Sequence, residues 1–296
     1  MRHTPSILVL AALSLPVVAQ AQAPTHHGRA IAPAAAVRIF NLAGTVRVTG
    51  WNRDSIDVSA VVPEGAGRLI FGGGAGGVKL GIDPPAGVSN YPGSLLEVKI
   101  SARARVWIKT ESAEILVSGL TTSVDVSSVS GRIVVSGDVS QLSAESIDGG
   151  IDAQVNADLV RLKSAGGTIV LRGEVTDASL STVSGTATAV VTGWERGRME
   201  TVTGRLTFES ALRAGGNYTL ESHSGDIEIR LPPAIDGALD LSALEGKIIN
   251  QLPQGRVQSA NKGRGETLSL QGGTAGADLV ARTFKGTITL GVQTKQ

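Results

Sequence analysis

The chain of 296 residues contains no cysteine. Disulfides, thiolate metal sites and a lipidated cysteine after a leader are therefore all excluded. Aromatic residues make up 3% of the chain, which suits a narrow interior built from Val, Ile, Leu and Ala. Neither sign of charge is in excess, with 27 Lys plus Arg against 26 Asp plus Glu. That balance argues against a nucleic-acid surface or a strongly acidic ligand. Long apolar runs are missing except at the start. Ile7 to Val18 is broken by Pro16 and preceded by Arg2 and His3. It is too short for a permanent membrane helix and is followed by the small-x-small pattern Ala19-Gln20-Ala21-Gln22-Ala23. Residues 1–23 read as a secretory signal peptide. An exported chain of this size without cysteine reads as bacterial, with a core large enough to need no covalent staples.

Glycine is abundant instead, with 38 residues, and it is periodic. Gly131, Gly149, Gly167 and Gly185 are 18 apart. Gly204, Gly225, Gly246, Gly265 and Gly286 follow at intervals of 19 to 21, and Gly44 holds the same place near the start. A fixed period of this length marks a solenoid. Around each glycine the residue types recur in columns. Seven and five residues before it stand aliphatics such as Val124 and Val126, or Val160 and Leu162. Two and four residues after it stand pairs such as Ile133 and Val135, or Ile227 and Ile229. Spacing of two is the strand period, so each coil is expected to hold two short strands joined at the glycine, where glycine allows backbone angles closed to other residues. Three before the glycine is a hydroxyl column, Thr110, Ser128, Ser146, Ser164, Thr182, Thr201, Ser222 and Thr283. It reads as a stacked Ser/Thr ladder serving the corner. Two before the glycine the column turns apolar again: Val129, Ile147, Ala165, Val183, Val202, Leu244 and Phe284. A second glycine column, Gly50, Gly119, Gly137 and Gly173, marks a second corner.

The expected fold is all-β: a parallel β-solenoid (β-helix) of about ten coils with repeats of 18–21 residues, right-handed by the crossover rule. The segments are a signal peptide (1–23), a linker (24–36), a first repeat with a strand-rich insertion (37–105), the solenoid repeats (106–292) and a tail (293–296). Within the insertion, strands are expected at Ile56 to Val62, Leu69 to Phe71, Val78 to Ile82 and Leu95 to Ile100. They are expected to form an antiparallel cap over the N-terminal end, because an open solenoid end exposes unpaired strand edges.

Three stretches resemble the bacterial putative-adhesin family, a domain of unknown function built from β-strand repeats. They are Gly44-Thr-Val-Arg-Val-Thr-Gly50 running on to Val58; Leu96 to Ala102 leading into Val106-Trp107-Ile108-Lys109-Thr110; and the motif seen as Val129-Ser-Gly131-Arg-Ile-Val-Val135 and His223-Ser-Gly225-Asp-Ile-Glu-Ile229. The likeness spans about residues 37 to 292. It implies the strand-repeat fold and supplies no agreed catalytic residues.

Little is left for chemistry. Of the four histidines, His3 leaves with the signal. His223 stands in the apolar column near Glu221 and Asp226 and reads as a corner histidine. Pro24-Thr25-His26, if exposed by cleavage after Ala23, has the form of an amino-terminal Cu(II) or Ni(II) chelate; a polar tail is the plainer reading for His26 and His27. Gly72 to Gly77 lacks the Lys and Ser/Thr of a phosphate loop. Gly149 to Val155 echoes a calcium nonapeptide only once. Outward charges such as Asp125, Arg132, Glu145, Asp152, Lys163 and Arg198 read as a solvated face, with Glu145 and Lys163 as neighbours in one column. No catalytic, cofactor or metal residues are assigned. The expected role is an exported, non-enzymatic β-solenoid that presents a repetitive surface to an envelope or cell-surface protein or glycan. The alternatives are a structural protein that self-associates through solenoid ends and a carbohydrate-active β-helix enzyme.

Overall fold

The computed structural model describes residues 23–87, 90–259, 264–274 and 276–293. Residues 1–22 of the expected signal peptide and the last three residues of the expected tail lie outside them. The described residues are all-β, with no helix. The alternation of aliphatic residues that defines the columns becomes strand alternation: β8 (Arg105–Thr110) buries Val106, Ile108 and Thr110 and turns Arg105, Trp107 and Lys109 outward.

Two ladders of strands face each other across the core. Along one run β8, β10 (Ser123–Ser128), β12 (Gln141–Ser146) and the second halves of β13 (Ile151–Ser164) and β14 (Ile169–Thr182). It continues through β16 (Arg196–Thr201) and β18 (Asn217–Ser222). Along the other run β9 (Glu114–Ser118), β11 (Ile133–Asp138), the first halves of β13 and β14, then β15 (Ala187–Thr192), β17 (Leu206–Glu209) and β19 (Ile227–Leu231). All of these pairings are parallel and keep the columns in register: Val124 meets Leu142, Leu142 meets Val160, and Ile133 meets Ile151. Each level thus covers the aliphatic residues of the one before it, and one continuous core results.

Aromatics are few but not absent from this core. Trp194, Phe208 and Tyr218 are fully buried together, with Trp194 stacked on Phe208 at 5.4 Å and Tyr218 set edgewise to both. Tyr218 occupies an aliphatic column, and the residue beside it in the previous level is Gly197. A Cβ on Gly197 would stand 2.8 Å from Trp194 and 3.0 Å from Tyr218. The rings are accommodated by removing a side chain, and their polar atoms are met internally: Trp194 Nε1 donates to the Arg196 carbonyl and the Tyr218 hydroxyl to the Trp194 carbonyl.

The ends depart from sequence order. At the N-terminal end, β2 (Ala36–Asn41) and β3 (Gly44–Trp51) pair in parallel with β8 and β9. The chain then leaves through β4 (Ser55–Val61) and β5 (Arg68–Gly74), and returns as β6 (Gly77–Asp83) and β7 (Ser94–Ser101). β6 and β7 pair in parallel with β2 and β3, while β4 and β5 pair antiparallel outside them. The expected antiparallel insertion is therefore half right. Its second half contributes another parallel level, and only β4 and β5 run against the stack. The expected linker at 24–36 needs correcting as well: residues Thr25–Ala30 form β1, the outermost strand, antiparallel to β4.

The C-terminal end repeats the device. β20 (Gly237–Ala243) and β21 (Lys247–Asn250) do not follow β18 and β19 in space. The last two strands of the chain, β24 (Asp278–Thr283) and β25 (Thr287–Val292), lie between them, parallel to both neighbours. β23 (Glu266–Gly272) closes the edge antiparallel to β20, with β22 (Gln258–Ser259) beyond it. Gly265 is thus corrected. It is not a corner of the repeat but precedes an antiparallel capping strand, at φ 129°. The warning lay in its surroundings, since its column positions hold Gln258, Ala260, Thr267 and Ser269 rather than aliphatics.

Candidate binding surface

The glycine corner is built by backbone contact between levels. A Cβ on Gly131, Gly149, Gly167, Gly185, Gly204 or Gly225 would stand 1.7 to 2.2 Å from the carbonyl oxygen of the column residue one level below. Gly286 and Gly246 continue the column in spatial order, Gly286 over Gly225 and Gly246 over Gly286. These eight need glycine for space, not for backbone angle, since none has positive φ. Angle is what the second column requires: Gly119, Gly137 and Gly173 lie at φ 70°, 114° and 122°. Gly44 combines both demands, at φ 103° and packed against Ser94 backbone.

The hydroxyl column locks the same corner. The amide of Gly131 donates to Ser128 Oγ, Gly149 to Ser146, Gly167 to Ser164, Gly185 to Thr182 and Gly204 to Thr201, at 2.9 to 3.0 Å. The hydroxyls then donate to a carbonyl of the level below, as Ser146 does to Val129 and Thr182 to Ala165. Hydroxyl-to-hydroxyl contact occurs between Thr110 and Ser128. The expected ladder is therefore mainly a set of hydroxyl bridges between backbone groups, most of them buried.

Closing the turn in this way pushes the two residues between hydroxyl and glycine outward. The apolar column two before the glycine is consequently not core. Val129, Ile147, Val183, Val202 and Leu244 are 41 to 53% exposed. The main chain beneath them is fully used: the Val129 carbonyl receives the amides of Ile147 and Asp148, and the Ala165 carbonyl those of Val183 and Ser184. The result is an apolar ridge running level by level along one corner. Single exposed apolar residues are ordinary, but a contiguous line of them is not. His223 belongs to this ridge. It is exposed and stacked on Phe284 at 5.3 Å, while Glu221 turns toward Arg198 and Asp226 pairs with Arg205. The three do not form a catalytic set.

The other sequence candidates also resolve into structure. Gly72 to Gly77 forms the β5–β6 hairpin, turning at Ala75-Gly76. His26 and His27 lie in β1, extended along β4, and His27 stacks on Phe71; this differs from the folded loop a copper chelate needs. Among the described residues no group of three or more His, Asp or Glu side chains could hold a metal. Glu145 and Lys163 are register partners, but the ion pairs of that face lie elsewhere, at Arg196–Asp177 and from Arg198 to Glu200 and Glu221. Asp125, on the same face, has its carboxyl held above the ordinary value, first by burial and then by Glu145.

The fold and these surfaces define an all-β repeat protein whose distinctive features lie on its outside. No family model matches the chain, and no curated protein does. Among solved structures it is similar to a putative adhesin from Parabacteroides merdae, with 12% identity over 90% of this chain and 96% of that one and a TM-score of 0.48. It is similar likewise to a putative adhesin from Bacteroides fragilis, with 12% identity, the same coverages and a TM-score of 0.47. A third, from Parabacteroides distasonis, is 11% identical, again with the same coverages, at a TM-score of 0.45.

Proposed function

We propose that this chain is an exported, non-enzymatic binding protein whose two ladders are the faces of a right-handed parallel β-solenoid of about ten coils. Its repetitive surface engages a protein or glycan of the cell envelope or of another cell surface, as an adhesin does. The observation that carries this reading is the apolar ridge. A repeat needs only glycine and a hydroxyl at that corner, yet aliphatic residues recur between them where burial does not call for them. Apolar surface kept in line along an otherwise polar exterior is the signature of a contact surface. The apolar run with small-x-small sites at the start of the chain supports export.

The test is retention of envelope fractions on the immobilised chain, with Ile147→Asp/Val183→Asp as comparison. Those two residues are exposed, so the fold should survive, checked by an unchanged melting temperature. Wild type is expected to retain an envelope component and the double variant to lose about tenfold of it, on the order of 1.4 kcal/mol. Absence of retention from every fraction, or equal retention by both proteins, would overturn the reading.

A further inference from the structure

The balanced overall charge conceals a local imbalance at the N-terminal end of the β8 ladder. There β6, β2, β8 and β10 lie side by side. Two rows of their outward residues carry the aromatic rings. One holds Lys79, Arg38, Trp107 and Asp125 in register; the other holds Gly81, Phe40, Lys109 and Ser127. Gly81 leaves room for the Phe40 ring, which lies where a Cβ on Gly81 would be. Lys79 Nζ sits 5.3 Å from the centre of that ring. The small side chain of Ala36 and the missing ones of Gly77 and Gly81 hollow the face. An open depression of about 750 Å³ results, with Arg38, Arg105, Trp107, Ser123 and Asp125 on its walls.

Two properties suit this hollow to a ligand. First, its cations have no carboxylate partner within 4 Å. Outward arginines elsewhere, such as Arg47, Arg132, Arg172, Arg205 and Arg230, pair with carboxylates within 4 Å. Among the described residues Arg38, Arg105, Lys79 and Lys109 have no such pair. Four cations on these strands therefore neighbour one carboxylate, Asp125, with Glu145 on the adjacent β12. Second, Trp107 is 40% exposed in the middle of them, which leaves part of a large apolar ring open to a ligand.

We propose that this hollow binds a carboxylated glycan, a uronic-acid oligosaccharide. The inference rests on the reading of the chain as a binding protein but uses a surface separate from the ridge. A uronate ring offers three matching chemistries. Its C–H face stacks on the indole of Trp107. Its carboxylate takes charge-assisted hydrogen bonds from Arg38, Arg105 or Lys109. Its hydroxyls donate to Asp125 and exchange bonds with Ser123. A row across four strands spans about 14 Å, three steps of about 4.8 Å, so successive rings can lie across the ladder. A nucleic-acid strand fits less well. Asp125 on β10 and Glu145 on the adjacent β12 would face its phosphates, and two aromatic rings among four cations make no continuous track.

The experiment titrates the chain with a short oligogalacturonate, followed by tryptophan emission and calorimetry. The same oligomer with its carboxyls reduced and a single-stranded DNA of similar length serve as comparisons. The acidic oligomer is expected to bind and to weaken as salt rises. Trp107→Ala and Arg38→Ala should each cost about tenfold or more in affinity, while Trp107→Phe retains most of it and all variants keep the wild-type melting temperature. Four outcomes would overturn the proposal: no binding, equal binding of the reduced oligomer, tighter binding of the DNA, or binding unaffected by Trp107→Ala. If envelope retention that depends on Ile147 and Val183 persists alongside any of these, only the glycan site falls. If retention and glycan binding both vanish, the reading of the chain as a binding protein falls with it.

Discussion

The middle of the stack and its two ends solve different problems with the same strands. Between β8 and β19 each level repeats its neighbour: aliphatics meet aliphatics, a hydroxyl ties the turn, and a glycine carbonyl fills the space a side chain would need. Burial there is a local matter between adjacent levels. At the ends no next level exists, and the chain abandons its order. At both it runs outward, turns back antiparallel, and seats a terminal pair of strands second from the edge: β2 and β3 inside β6 and β7, and β24 and β25 inside β20 and β21. The edge then consists of antiparallel strands that do not continue the register, β1, β4 and β5 at one end and, beside β20, β22 and β23 at the other, where β21 pairs with β25 alone. Parallel stacking supplies the core, while reversal of direction blunts the template that an unpaired parallel edge would offer.

The strongest way to break the middle is at its glycines. Gly167→Ala places a Cβ 2.1 Å from the Gly149 carbonyl, and backbone on both sides must move. We expect a loss of about 4 kcal/mol or more, read by chemical denaturation. Gly166→Ala is the control one residue away: its Cβ would be 3.2 Å from the flexible Asp148 carboxylate, and stability should stay within about 0.5 kcal/mol. If both variants behave alike, close packing at the corner is not what selects glycine.

The ends should fail differently. Leu268 is buried in β23 against the core, and Leu268→Asp should cost about 3 kcal/mol. It should also loosen the cap from β20 and bring concentration-dependent association in sedimentation velocity. A destabilised but strictly monomeric variant would show that β23 does not protect the edge. The smallest effect separates hydroxyls within the column. Ser164→Ala leaves the buried amide of Gly167 without its acceptor, about 1 to 2 kcal/mol. Ser222, only half-buried near the C-terminal end, should cost less, and Ser164→Thr almost nothing, since Thr182 and Thr201 fill the same role.

The columns were legible because each level faces only its neighbours, so the same constraint is written again every 18 residues. The aliphatic positions and the hydroxyls could be read from that, and the strands of the insertion from their apolar runs between glycine- and proline-rich turns. Other things were hidden because they depend on residues far apart in sequence. Nothing within residues 278–292 shows that they slide between two earlier levels, since they carry the standard pattern; only the lack of aliphatics around Gly265 marked the detour. The exposure of the ridge was hidden for a related reason. Val129 and Ile147 have the composition of core, and only the turn closed by Ser128 and Ser146 shows that they point out. Trp107 and its cations come from separate strands, and their juxtaposition needs the register of four of them.

The sequence by itself determined the all-β class, the strand period and which strand residues are buried within a repeat, because those follow from alternation and from forces between adjacent levels. The tertiary structure alone decided the order of levels at each end, the exposure of the corner ridge and the hollow around Trp107. Each of these is set by which strand lies beside which, and neighbouring parallel strands with equivalent patterns are interchangeable until the edges of the sheet must be closed.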